Sequence, residues 1–230
     1  MNTEDTTAPW VRLAGQSTET SIDGFELFSA RRALRLLKSK LGRERLLELL
    51  SDEIAAGDAF LRDHLDRSGG EETTGTTTLL AHGITAAQFT GWLSRAFARE
   101  DVMLAGHPEH YSIHAEPGSN VNVVETLGEY VCSFFMRPYD DSVIADDGLP
   151  RDQPAGRQSH MLLQDGTIVG SIANAFDQEP DGFTAILSVT LPATCAPDVV
   201  QQHLEHFAVE FRTWILRAAA ELSVPAPKSN

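Results

Sequence analysis

The longest regular run of apolar residues lies near the C-terminal end of the chain. Between Asp198 and Leu222, apolar side chains recur at intervals of three or four residues. They are Val200, Leu204, Phe207, Ala208, Phe211, Ile215 and Leu216. This spacing places them on one face of an α-helix. The pattern therefore predicts one long amphipathic helix over this stretch.

Two stretches nearer the N-terminus, residues 25–40 and 43–65, have the same helical spacing. Gly42 lies between them and is expected to end the first helix, because glycine accepts the left-handed conformation in which many helices terminate. We therefore predict a helical hairpin over residues 23–66. Residues 1–22 have no apolar period, and we expect them to form a mobile tail.

The pattern changes after a linker rich in glycine and glutamate that begins at Arg67. Alternating apolar residues or β-branched enrichment then predict strands. These are residues 76–82, 111–115, 121–136, 158–163, 167–175 and 183–191. Thr85 and Gln88 have the spacing of a capping box, which predicts a short helix after the first strand. Asp-Gly turn signals precede the last two strands.

A series of strands followed by one long helix indicates an α+β fold. We predict a helix-grip, Bet v 1-like domain over residues 72–224, in which an antiparallel sheet curves around the C-terminal helix. A ligand cavity between sheet and helix is the expected consequence of this arrangement.

The chain of 230 residues carries 18 basic and 33 acidic side chains, a formal net charge of −15. This charge repels nucleic-acid phosphates and anionic membrane surfaces, so neither is an expected partner. Two cysteines, a polar N-terminal segment and the absence of a long apolar run predict a cytoplasmic protein. A homodimer is left open.

Polar residues with metal-binding side chains interrupt this pattern in three places. His206 and Glu210 lie one helical turn apart and can face a common ion, although this spacing more often gives a surface hydrogen bond. Glu125 interrupts an apolar strand and requires a polar partner or solvent. A third cluster precedes and enters the second strand: His107, Glu109, His110, Tyr111 and His114.

Four short motifs carry a resemblance to a known family. They are His110-Tyr-Ser, the Glu125 strand ending in Phe135-Met-Arg-Pro138, Asp181-Gly-Phe, and His206-Phe-Ala-Val-Glu210-Phe. Through these motifs, residues 76–222 resemble the 2,4-diacetylphloroglucinol and phloretin hydrolases. Members of that family are zinc-dependent and cleave a carbon–carbon bond between an acyl group and a phenolic ring.

The resemblance implies a Zn²⁺ site formed by His110, Glu125, His206 and Glu210, with a small aromatic ketone as substrate. His107 is a rival first ligand. His107 and His160 are the candidates for catalytic proton transfer, and His114 and His203 are candidates for orienting the ligands. The alternative hypothesis is a metal-free helix-grip protein that binds or cyclises an aromatic polyketide.

Overall fold

The computed structural model describes residues 14–15, 20–115, 120–138 and 157–223. Most of the predicted N-terminal tail, residues 1–22, lies outside the described residues. The chain divides into two compact units, residues 1–42 and residues 43–230. The second unit contains the strands, the long C-terminal helix and all of the candidate site residues.

Helix α1 runs from Thr20 to Leu49 and is interrupted at Gly42, whose φ of 70° and ψ of 169° are not helical. The interruption lies where the sequence predicts one. Helix α2 runs from Ser51 to Ser68, so a second break at Leu50 divides the segment that the sequence predicts as one helix. None of the described helices has both the length and the apolar character needed to cross a bilayer.

In the part of the chain that the structure describes, seven strands form one antiparallel sheet in the order β1-β7-β6-β5-β4-β3-β2. They are β1 (Glu72–His82), β2 (His110–His114), β3 (Val121–Leu127), β4 (Tyr130–Pro138), β5 (Arg157–Leu162), β6 (Ile168–Glu179) and β7 (Gly182–Pro192). The C-terminal helix α5 (Pro197–Ser223) contacts β1 at one edge of the sheet and β3 near the other, so the sheet curves around it. The predicted helix-grip fold is confirmed.

Two short helices, α3 (Ala86–Ala96) and α4 (Glu100–Leu104), connect β1 to β2. The predicted capping box opens α3: the Gln88 backbone N–H donates to Thr85 Oγ1 at 3.1 Å, and the Thr85 N–H donates to Gln88 Oε1 at 2.9 Å. The sequence does not predict α4, which is only one turn long. It nevertheless contributes to the candidate site.

The concave face of β7 forms the apolar half of the core. Its inward side chains are all almost completely buried: Phe183, Ala185, Leu187, Val189 and Leu191. Burial of one large side chain of this kind contributes about 1.5–3 kcal/mol to stability. On the neighbouring strand β1, a Cβ at Gly75 would collide with the Val200 side chain of α5. Glycine at that position therefore lets the helix lie close to the sheet.

Helix α2 lies across the end of the sheet at which the β3–β4 and β5–β6 turns are found. The Phe60 ring stacks on Tyr130 beside the β3–β4 turn, with centroids 4.3 Å apart. The Arg62 guanidinium pairs with Asp165 in the β5–β6 turn at 2.8 Å. Helix α2, the second helix of the predicted hairpin, therefore packs on the sheet.

Candidate metal centre

The first half of the candidate site is a cross-strand pair. His110, the first residue of β2, lies directly opposite Glu125 of β3 in the antiparallel register. Such neighbours on one face have side chains close enough to interact. His110 is completely buried and Glu125 is 4% exposed, so both polar groups depend on partners inside the protein.

The second half is a pair on the facing helix. His206 and Glu210 lie one turn apart on α5, and both are buried. The sequence allows either a buried or a surface position for this pair. His110 Nε2 and His206 Nε2 are 2.9 Å apart. Glu125 Oε2 lies 3.4 Å from each of these nitrogens, and Glu210 Oε1 lies 3.6 Å from His110 Nε2. The structure therefore brings all four candidate ligands together; we call them the four-residue cluster.

These separations match those of ligand atoms around a small cation. Atoms bound at 2.0–2.1 Å to a tetrahedral zinc ion lie about 3.3 Å from one another. The four separations given above, 2.9–3.6 Å, lie on both sides of this value. His110, His206 and Glu210 also form a group whose ligand atoms all lie within 4.8 Å of one another. Two imidazole nitrogens and two carboxylates are a donor set that zinc accepts.

The backbone of α4 orients His110. Its Nδ1 lies 3.2 Å from the carbonyl oxygen of Met103. A carbonyl oxygen can only accept, so Nδ1 carries the proton and the Nε2 lone pair faces the cluster. Metal-binding histidines commonly have this arrangement, because the second nitrogen fixes the tautomer and the orientation of the ring.

His107 lies next to the cluster in a different orientation. Its ring stacks on His206, with centroids 3.7 Å apart and an interplanar angle of 23°. His107, Glu109 and His206 form a second group whose ligand atoms lie within 4.8 Å of one another. His110 is favoured as the first ligand because it contacts both Glu125 and Glu210. The Glu109 backbone N–H donates to His107 Nδ1 at 3.1 Å, so the neutral ring carries its proton on Nε2.

The structure does not bring His160 to the cluster. On β4 and β5, Met136 pairs with Met161 and Arg137 pairs with His160. Met136 is on the same face as Glu125, because both positions follow the unbroken β3–β4 register. Side chains alternate between the faces along a strand, so His160 lies on the opposite face. We therefore give it no catalytic role.

Burial and charge affect the two carboxyl groups of the cluster in opposite directions. Burial alone would raise the pKa of Glu125, but the charge and hydrogen bond of His206, with the charges of His203 and His110, lower that pKa to about 2. For Glu210, burial and the neighbouring Glu125 charge both act to raise the pKa. Without a cation, the cluster therefore favours one ionised and one protonated carboxyl group.

His203, one turn before His206 on α5, lies behind the cluster. It is 1% exposed, and its Nδ1 is 4.0 Å from Glu125 Oε1. Burial, and to a lesser extent the His206 charge, outweigh the attraction of Glu125 and lower the pKa of His203 to about 4, so its ring is neutral at neutral pH. By contrast, His114 lies 3.8 Å from Glu100, outside the cluster.

A pocket of about 270 Å³ opens beside the cluster, between α5, the β3–β4 turn and the segment that precedes β2. His107, His203 and His206 line it together with Thr126 and Gln202. The sequence predicts a cavity between the sheet and the helix, but not its position beside the β3–β4 turn. Gly128 of that turn, which the sequence does not predict, is among the residues that line the pocket.

Comparison with known proteins identifies no family for this chain. No family model matches the chain, and no curated protein matches its sequence. Ara h 8.0201 is similar in structure, with a TM-score of 0.43 and 12% identity over 65% of this chain and 99% of that one. The Zhui aromatase/cyclase from Streptomyces sp. R1128 gives a TM-score of 0.41 and 11% identity over 67% of this chain and 96% of that one.

A START superfamily protein from Mycobacterium smegmatis gives a TM-score of 0.39 and 17% identity over 67% of this chain and all of that one. At these identities and TM-scores the similarities carry no argument about activity. None of the comparisons identifies a hydrolase family, so the resemblance to the phloroglucinol-type hydrolases contributes only to a proposal.

Proposed function

We propose that this chain is a metal-dependent hydrolase that cleaves the carbon–carbon bond between an acyl group and a phenolic ring. The observation that carries the proposal is the four-residue cluster: His206 Nε2, Glu125 Oε2 and Glu210 Oε1 all lie within 3.6 Å of His110 Nε2. The sequence resemblance suggests the class of substrate.

The residues present fit a zinc ion. The donor types suit zinc, whose coordination can expand from four to five so that water or substrate could join the four residues, and His110 is fixed in the tautomer that a ligand through Nε2 requires. A bound Zn²⁺ would supply Lewis-acid polarisation of a carbonyl group and would lower the pKa of a water molecule. The two glutamates would offset its charge, and burial of all four residues would limit competing water.

The reaction requires a proton at the ring carbon. Oxygen from water bonds to the acyl carbon, the bond from that carbon to the ring breaks, and the ring carbon takes up a proton to give the deacylated phenol and a carboxylic acid. His107 is the candidate donor, because its neutral tautomer carries a proton on Nε2 and its ring lies against His206 beside the pocket.

Metal analysis tests the first part of the proposal. Protein purified without chelators should contain, or take up, about one equivalent of zinc per chain. Removal of the ion should leave the fold intact, because the sheet and α5 pack through apolar residues away from the cluster. Failure to bind zinc, iron or manganese after addition would exclude the hydrolase.

Turnover tests the second part. Metal-loaded protein incubated with a panel of acylphloroglucinols should release the acid and the deacylated phenol in equal amounts. A His107→Phe variant preserves the stacking on His206 but cannot donate a proton, so we expect it to retain metal and to lose most of the turnover. Full turnover by that variant would remove His107 from the mechanism.

The second candidate is a metal-free protein that binds or cyclises an aromatic polyketide. One observation favours it: the 2.9 Å separation of His110 Nε2 and His206 Nε2 is a good hydrogen bond, so the cluster can satisfy these nitrogens without an ion. Tight binding of an aromatic polyketide by protein that takes up no metal would support this alternative.

A further inference from the structure

His203 is a buried polar side chain without a hydrogen-bonding partner. Among the residues that the structure describes, neither its Nδ1 nor its Nε2 has one. The ring is 1% exposed and packs between His206 and Phe207. A buried polar group left unpaired destabilises the fold, commonly by about 1–3 kcal/mol. The position therefore requires an explanation outside packing.

The two oxygens of Glu125 face different neighbours. Oε2 lies 3.4 Å from the nitrogens of His110 and His206, whereas Oε1 lies 4.0 Å from His203 Nδ1. One carboxylate thus contacts the four-residue cluster through one oxygen and presents the other to His203. The second oxygen retains its capacity to accept a hydrogen bond.

A separation of 4.0 Å is too long for a hydrogen bond but suits a bridging oxygen atom. An oxygen about 2.8 Å from both atoms would form an angle of about 90° between them, which a hydroxyl group tolerates. The neutral imidazole can donate from Nδ1, and the ionised carboxylate can only accept. The bridging group must therefore both accept and donate, as a hydroxyl group does.

We propose that His203 Nδ1 and Glu125 Oε1 form a binding site for a hydroxyl group of the ligand, which enters through the pocket that His203 lines. The site selects aryl ketones with a hydroxyl next to the acyl group. The choice of aryl ketones as the ligand class rests on the proposed function. The hydrogen-bonding site itself does not require a metal.

Binding of two probes tests the inference. In the metal-free protein, 2′,6′-dihydroxyacetophenone should bind at least about tenfold more tightly than acetophenone, because only the first offers a bridging hydroxyl. The measurement is titration calorimetry. Equal affinity for the two probes would overturn the proposal. Since no metal is present, this result is independent of whether the protein is a metal hydrolase.

Variants at His203 identify the group responsible. His203→Leu should bind both probes equally, and His203→Asn, whose amide nitrogen occupies a position close to that of Nδ1, should retain part of the discrimination. Gln202→Ala changes a neighbouring residue of the same pocket and serves as the matched control, with discrimination unchanged. Discrimination that survives in His203→Leu would assign the hydroxyl site to other residues.

Metal content separates this role from metal ligation. All three variants should bind as much zinc as the unaltered chain; loss of zinc by His203→Leu would show that the residue serves the metal and would overturn the proposal. His203→Leu should also melt at the same or a higher temperature, because it replaces an unpaired polar group by an apolar one. A large fall in melting temperature would indicate that His203 is needed for folding.

Discussion

The two halves of the concave sheet face differ in what they bury against the same helix. On β7 the inward side chains are apolar and almost inaccessible, from Phe183 to Leu191. On β2 and β3 the inward positions include His110 and Glu125, which meet His206 and Glu210 of α5. The first half stabilises the fold at no electrostatic cost. The second half buries titratable groups that a protein selected for stability alone would replace.

The largest expected effect is on metal binding by the polar half. His206→Ala and Glu210→Gln each remove one proposed ligand, and even outer partners of metal ligands can contribute 10–100-fold in affinity. We therefore expect zinc affinity to fall by more than about a hundredfold in each variant, measured by competition with a chromogenic chelator. His82→Ala, at an exposed strand end, is the control and should bind zinc normally.

Substitutions in the apolar half should lower the stability of the fold and leave its affinity for zinc unchanged. Leu187 is completely buried on β7, so Leu187→Ala should lower the free energy of unfolding by about 2–5 kcal/mol. Denaturant titration measures this change. The folded fraction should bind zinc with unchanged affinity, and a parallel loss of zinc affinity would show that the two halves are coupled.

When no metal is bound, the raised pKa of Glu210 should make the folded protein less stable at neutral pH than at acidic pH. Its pKa is raised in the folded protein by burial and by Glu125. The stabilising contribution of the protonated carboxyl is therefore complete below the unfolded pKa of about 4.5 and is lost as pH rises through the folded pKa.

Glu210→Gln cannot ionise and should lack this dependence. Unfolding free energies of the metal-free proteins, measured between about pH 4 and pH 8, should therefore increasingly favour the variant as pH rises. A constant difference across that range would contradict the raised pKa.

The smallest effect is expected at His160, on the opposite face of the sheet from the cluster. His160→Ala should leave zinc affinity and turnover unchanged, and stability should change by no more than about 1 kcal/mol, as for most substitutions outside the core. Loss of turnover with normal metal content would show that this face of the sheet takes part in the reaction.

The sequence predicts the parts of the fold that local spacing determines. The period of α5, the capping box of α3 and the turn signals before β6 and β7 each depend on residues within one or two turns of the chain. The β3–β4 hairpin was missed, because Gly128 lies inside a continuous run of strand-forming residues, and the single turn of α4 is too short to have a period.

The sequence determines the positions of some candidate site residues by local spacing alone, whereas the positions of others depend on the packing of the whole fold. His206 and Glu210 share a helix face, so their spacing alone places them together. The approach of His110 to Glu125 depends on the register of β2 with β3. The face of the sheet on which His160 lies depends on the registers of β3 with β4 and of β4 with β5. The burial of His203 requires the complete packing of α5 on the sheet, which no local pattern contains.

An irregularity in β2 has a consequence for how the cluster is kept in place. The register with β3 shifts between His110 and Ser112, so that Tyr111 is an extra residue relative to the partner strand. This bulge allows both His110 and Ile113 to face inward, although regular alternation would put them on opposite faces. The position of His110 therefore depends on the bulge: a regular β2 that kept Tyr111 and held Ile113 in the core would turn His110 away from its partners, although every side chain of the cluster would still be in the sequence.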